Sequence, residues 1–252
     1  MSYIEKPQMK FDELSMYFGD DYKVNDYITI HQPTIGEIIQ FGENRMYSSI
    51  NPFTSNPTTY RVALWKIGTD WNKISNYDLF LLLYKSITKE NGHMIFGDFD
   101  FETLLPETIE SGEIVLKNQF GDIVIDSSVY LIISEYLRLM FNQYPIVEKA
   151  KGKETKKWMI DEDIRKLEEK EKESKHSTLL PLISALLNHP GFKYKKNELR
   201  EVGIVEFFDS VQRLQLYESV KAFMSGAYSG MVDTSKIDIG KEMNWLRDLH
   251  SV

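Results

Sequence analysis

Apolar residues in the C-terminal third recur at steps of three or four: Ile204, Phe207, Phe208, Val211, Leu214, Tyr217, Val220, Met224, Tyr228 and Met231. That spacing marks one side of a long helix. Glu206, Asp209 and Arg213 occupy the other side, with Asp209 four residues ahead of Arg213 and oriented to pair with it. Ser229 and Gly230 end the helix. The run before it, Leu179, Leu182, Ile183, Leu186 and Leu187, predicts a shorter helix. Pro181 is tolerated in its first turn, and Asn188-His189-Pro190-Gly191 stops it. A last short helix over 237–249 is expected to carry Ile239, Met243, Leu246 and Leu249.

The N-terminal part mixes helical and strand periods. Residues 1–16 read as a loosely held leader. Residues 22–24 and 27–30 flank Asn25-Asp26, a pair that tolerates positive φ, and predict a tight hairpin. Pro33 suits a helix start, and Ile35, Ile38, Ile39 and Gly42 follow helical spacing toward an end near 47–50. Residues 51–59, rich in Pro, Ser, Thr and Asn, predict a loop, and 60–67 a second helix. A third helix begins after Ser75, where Ser75 and Asp78 form a capping box, and runs through 79–87 almost wholly apolar, hence buried on most sides. In 95–126, Phe96, Phe99 and Phe101 interleave with Asp98 and Asp100. Ile114–Lys117 and Ile123–Ile125 then bracket a turn-forming stretch and predict a second hairpin. Ser127 or Ser128 is expected to cap a strong helix to about residue 144.

Residues 147–176 are dominated by Lys and Glu, and read as a charged linker or an exposed helix held by i,i+4 ion pairs. The pattern therefore predicts a predominantly α-helical α+β fold. A helical region with two small β-hairpins (17–146) joins an all-helical C-terminal region (177–252) through that charged segment. There is no internal repeat.

Charge sharpens this picture. The net charge is −8, and residues 1–147 carry 11 Lys and Arg against 20 Asp and Glu. An acidic half repels phosphate backbones, so no nucleic-acid partner is expected. Lys149, Lys151, Lys153, Lys156 and Lys157 form the local exception, read as a solvated run, with Trp158 beside them as a packing anchor. Without cysteine there is no disulfide, thiolate metal site or cysteine nucleophile, which fits a cytoplasmic location. No signal-like apolar segment opens the chain. The most apolar stretch, 129–141, is broken by Ser134, Glu135 and Arg138, so no membrane partner is expected either.

Chemistry has little footing in the sequence. G-x-G-x-x-G, G-x-x-x-x-G-K-[ST], H-E-x-x-H and G-x-S-x-G are all missing, and no cofactor or catalytic residue is implied. Asp98, Asp100 and Glu102 imitate the start of a calcium loop, but Thr103 stands at the glycine position and Ile109 at the bidentate glutamate. His93 beside these carboxylates frames the one enzyme-class alternative, a metal-dependent hydrolase. The other histidines, His31, His176, His189 and His250, have no diagnostic partner offset.

The tail differs in kind. Met243, Trp245, Leu246 and Leu249 give the predicted short helix an apolar side that its length cannot stabilise in isolation. It must dock, either on its own region or in a partner's groove with Trp245 as anchor. These four residues are the candidate partner-binding set.

Two stretches carry a resemblance: YFGDDYKVNDYITIHQPTIGEIIQFGE (17–43) and NHPGFKYKKNELREVGIVEFFDSVQRLQ (188–215), with the downstream SGAYSGMVDTSKID and MNWLRDL. They resemble tail assembly chaperone-type proteins from the tail modules of phages and prophages of Gram-positive bacteria. The resemblance implies binding of the tape-measure protein and other tail proteins during morphogenesis in the host cytoplasm, with self-association as a further expectation. The alternative is a structural virion component of the tail, connector or baseplate. The N-terminal hairpin and the 95–126 insert add material beyond the shorter chaperones of this type.

Overall fold

The computed structural model describes residues 2–172, 176–230, 237, 238, 240 and 243–249. Among them helices dominate, at 53% against 10% strand, an α+β fold that is predominantly helical. The elements are β1 (Ser2–Ile4), α1 (Glu13–Phe18), β2 (Tyr22–Lys23), β3 (Thr29–Ile30), α2 (Ile35–Phe41), α3 (Glu43–Thr54), α4 (Arg61–Lys66) and α5 (Asn76–Leu83). They continue with α6 (Lys89–Phe96), β4 (Leu105–Thr108), β5 (Ile114–Lys117), β6 (Ile123–Ile125), α7 (Ser127–Met140) and β7 (Ile146–Glu148). The chain then adds α8 (Lys153–Lys172), α9 (Leu179–Asn188) and α10 (Ile204–Tyr228). It divides into two compact units, one of residues 1–33 and 37–176 and one of 34–36 and 177–252.

In the first unit α3 is central, packed by α5, α6 and α7. Phe53 near its end is fully buried. The Phe80 ring stands 4.7 Å from it, Phe96 5.6 Å, Phe101 5.9 Å and Tyr130 6.0 Å. This aromatic clustering explains why the helix continues through Thr54, past the loop expected from 51. Burial of Phe53 outweighs the cost of Pro52, which sits in the last turn. The helix-end carbonyls are taken from α7. Ser134 Oγ donates to Phe53 O (2.7 Å), and the buried Arg138 donates to Thr54 O (3.3 Å) and Ser55 O (3.1 Å).

The leader is not loose. β1 pairs antiparallel with β7, and the Glu135 carboxylate accepts the backbone N–H of Gln8 (3.1 Å) and of Met9 (2.6 Å). One long helix was expected from Ile35. Instead Gly42, at φ 98°, separates α2 from α3, a backbone angle that glycine adopts at little cost. The 22–30 hairpin is present with shorter strands, and its turn is not a positive-φ one. Asn25 Oδ1 accepts from Tyr27 N (2.9 Å) and Ile28 N (2.8 Å), an Asx-type turn. The second hairpin is β5–β6, with β4 added on its other edge, and its tip meets the first hairpin. Tyr27 Oη donates to Asp122 (2.7 Å) and Asn25 Nδ2 to Val124 O (2.9 Å).

Ser75 and Asp78 make the reciprocal capping box at α5. Tyr77, Leu79 and Phe80 are buried there, while Leu82 is 58% exposed, so one side of this apolar helix faces outward. α7 is capped by Asp126 rather than Ser127 or Ser128, through Val129 N (2.8 Å), and ends at Met140. The charged segment holds α8, whose Ile160 is buried in a cluster with Val62, Leu64, Trp71, Leu79 and Ala150.

The second unit is built on α9 and α10. Residues 34–36 join it: Thr34 bridges Gly203, and Ile35 N donates to Val202 O (2.9 Å). A side chain at Gly36 would place Cβ 2.8 Å from Arg200 O, so this contact needs glycine. His189 ends α9, its Nδ1 accepting from Gly191 N (3.0 Å) and its Nε2 lying 3.3 Å from Glu218 on α10. No helix among the described residues is long and apolar enough to cross a membrane.

Candidate interaction surface

α10 spans 25 residues, roughly 37 Å at 1.5 Å per residue. Its apolar stripe follows the sequence pattern, yet only Ile204 and Phe207 are fully buried. Beyond Phe207, Val211, Leu214, Val220, Phe223 and Met224 are half-buried, and Tyr217 (41%) and Tyr228 (83%) are exposed. On α9, Leu179 and Leu186 are buried, Leu182, Ile183 and Leu187 are half-buried, and Leu180 is exposed. An amphipathic helix normally hides such a stripe, because each buried aliphatic side chain contributes about 1.5–3 kcal/mol. Beyond Phe207, α10 realises that contribution only in part, and a second helix laid along it would complete the cover.

The tail residues lie beside this stripe. Trp245 packs edge-on against Tyr217, ring centroids 5.7 Å apart. Arg213 Nη1 donates to the carbonyls of Trp245 (2.9 Å) and Arg247 (2.8 Å), and Arg213 also faces Asp209 at 3.6 Å. Of the predicted short helix, Gly240 is helical, while Met243, Trp245 and Leu246 lie in turns and Arg247 and Leu249 in bends; Ile239 lies outside the described residues. The physical reason is competition for backbone groups. Asn244 Oδ1 accepts from Leu246 N (3.1 Å), and Arg213 occupies two carbonyls near the chain's end. Met243 and Leu249 are half-buried, Trp245 is 42% exposed and Leu246 71%.

The acidic residues near His93 do not assemble into a metal centre. α6 was not expected from the sequence; it carries His93, whose Nδ1 is 3.1 Å from Gly97 O and 4.0 Å from Asp98. Asp100 instead caps a single 3-10 turn through Glu102 N (2.9 Å). Among the described residues no group of three or more His, Cys, Asp or Glu is placed to hold a metal ion. His31 pairs with Asp21 at 2.9 Å. Trp158 is 65% exposed on α8, and Lys156 turns toward Asp70 (2.6 Å) and the Trp71 ring (5.5 Å).

A second acidic neighbourhood surrounds Tyr194, whose hydroxyl donates to Glu206 (2.6 Å). That carboxylate raises the Tyr194 hydroxyl above its ordinary value, and nearby Glu198 adds to the shift. The group is thereby held as a hydrogen-bond donor, not as a base. No protein-family model, curated protein or solved structure matches the chain.

Proposed function

We propose that this chain is a tail assembly chaperone-type protein of a phage or prophage of Gram-positive bacteria. It binds the helical, apolar tape-measure protein in the host cytoplasm and catalyses no reaction. The observation that carries the reading is the stripe on α10 beyond Phe207, apolar in sequence and nowhere fully buried. The resemblance in 17–43 and 188–215 names the client, and the second stretch runs into this same helix.

Binding follows helix-in-groove physics: the client's apolar face covers Val211, Leu214, Val220 and Met224, with α9 alongside. The gain is moderate because these side chains are already half-covered, which suits a client that must later be released. The acidic character of the chain favours solubility of uncomplexed copies.

Mass spectrometry of purified virions and of infected-cell lysate tests the reading. The protein is expected in the lysate bound to the tape-measure protein and missing from the finished particle. Stoichiometric presence in the virion would instead make it a structural component of the tail, connector or baseplate.

A further inference from the structure

A second site, of different character, lies in the first unit between α4 and the C-terminal half of α8. A groove of about 660 Å³ opens there. Its floor is apolar: Tyr60, Val62 and Ala63 from the α4 side and Leu167 from α8. Val62 belongs to the buried cluster beneath, while Leu167 is 50% exposed although it lies seven residues from buried Ile160 and on the same helix face.

The rim is basic. Lys66 stands at the end of α4, and Lys166 and Lys170 flank Leu167 on α8. Asp163, Lys166, Leu167 and Lys170 recur at i, i+3, i+4 and i+7, one helix face. Asp163 adds little negative charge to the groove, because Arg61 neutralises it. Lys166 reaches Glu162 at 3.5 Å with its side chain 62% exposed, a weak pair. Lys66 and Lys170 make no ion pair among the described residues. Glu169 is the remaining acid on the lining. In a chain of net charge −8, the lining thus carries three lysines against Asp163, which Arg61 neutralises, and Glu169.

We infer that this groove binds an acidic amphipathic helix of a partner protein, one whose apolar side chains enter between α4 and α8 and whose flanking carboxylates meet Lys66, Lys166 and Lys170. Charge complementarity selects the carboxylates. A helix is favoured over an extended peptide because the floor offers side-chain carbon, with the α4 and α8 backbone already hydrogen-bonded internally. A strand laid there would bury unpaired N–H and C=O groups, whereas a helix satisfies its own. Two helices in contact also present the ridges and grooves into which a third helix packs. The inference stands independently of the tail-assembly reading, whose surface is in the other unit.

The test uses the full chain and two labelled synthetic peptides of about twenty residues. Both carry leucine at helical spacing; one has glutamate at the remaining positions and the other lysine. Fluorescence anisotropy at low salt is expected to show saturable binding of the glutamate peptide and none of the lysine peptide. Combined K66E, K166E and K170E should weaken binding by roughly ten-fold or more, while the circular-dichroism melt is unchanged, since all three side chains are exposed. The charge-removing set K66Q, K166Q and K170Q should weaken it less, and Leu167→Ser should weaken it without altering its salt dependence. Tyr217→Ala, in the other unit, should leave it untouched, which separates this site from the proposed client surface. Equal binding of both peptides, no saturable binding, or indifference to the lysine variants would overturn the inference. So would lysine-dependent binding to phosphatidylglycerol vesicles with no binding of the glutamate peptide, which would make the rim a membrane contact.

Discussion

Arg61 Nη2 donates to Asp163 Oδ1 at 2.6 Å, joining α4 to α8 across 102 residues of chain. Its Nε bonds the other oxygen of the same carboxylate and its Nη1 reaches Glu148 on β7, so one guanidinium holds three elements. Arg61 is 8% exposed, and the Asp163 hydrogen bonds push its acidity further from the physiological range. The fork of the guanidinium matches the carboxylate in a way that lysine does not.

Removing the Asp163 charge leaves the buried Arg61 with Glu148 as its remaining carboxylate partner and loosens α8 from α4. Asp163→Asn is expected to cost about 3 kcal/mol, measured by urea denaturation. Hydrogen exchange should rise across 153–172 before it rises in α3 or α7. Uniform exchange along the whole first unit would show that α8 is not separately held.

Gly36→Ala addresses the second unit. The added Cβ would stand 2.8 Å from the Arg200 carbonyl oxygen, a backbone atom that cannot swing aside. The expected loss is about 1–3 kcal/mol in the thermal or urea transition. Gly42→Ala is a useful contrast: nothing lies within 4 Å of its added Cβ, so its cost comes from φ 98° alone.

Acid should act on the Asp70–Lys156 pair. The Lys156 ammonium, hydrogen-bonded at 2.6 Å, holds the Asp70 carboxyl below its ordinary value of 3.8. A carboxyl whose folded-state value is lowered contributes stability above its unfolded value and loses it as pH falls through the folded one. Stability of the wild type should therefore fall as pH drops below about 4, and Asp70→Asn should lower the neutral plateau and shrink that fall. An identical acid limb in both proteins would assign the loss to other carboxylates.

Trp245→Ala should weaken client or self-association more than it lowers the thermal midpoint. Trp245 meets Tyr217 edge-on and is 42% exposed, so its removal opens no cavity in a core. A drop in stability with association intact would make the tail an ordinary packing element of its own unit.

What the sequence displayed and what it hid have physical causes. The α10 stripe, α9 and the β5–β6 hairpin are periodic over local stretches, and periodicity is what sequence shows. β1 pairs with β7 some 140 residues away, and three residues with a distant partner leave no local trace. α6 shows little apolar periodicity in sequence, and its Gly92 is buried against Ile87, where a Cβ would lie 3.1 Å from a methyl carbon. The tail showed apolar spacing, whereas its described end, 243–249, lies in turns and bends held by Arg213, distant in sequence. For the candidate surface, the stripe on α10 was visible, while its incomplete burial was not. The α4–α8 groove needed both helices in place before its lysines could be seen to share a rim.

Co-expression of the tagged full chain with the tape-measure protein, followed by affinity capture and hydrogen exchange on the isolated complex, addresses the central claim. A soluble, stoichiometric complex is expected, in which residues 211–228 of α10 become protected and from which Met224→Asp releases the client. A tape-measure protein that stays aggregated or uncaptured beside a folded, soluble partner would contradict it.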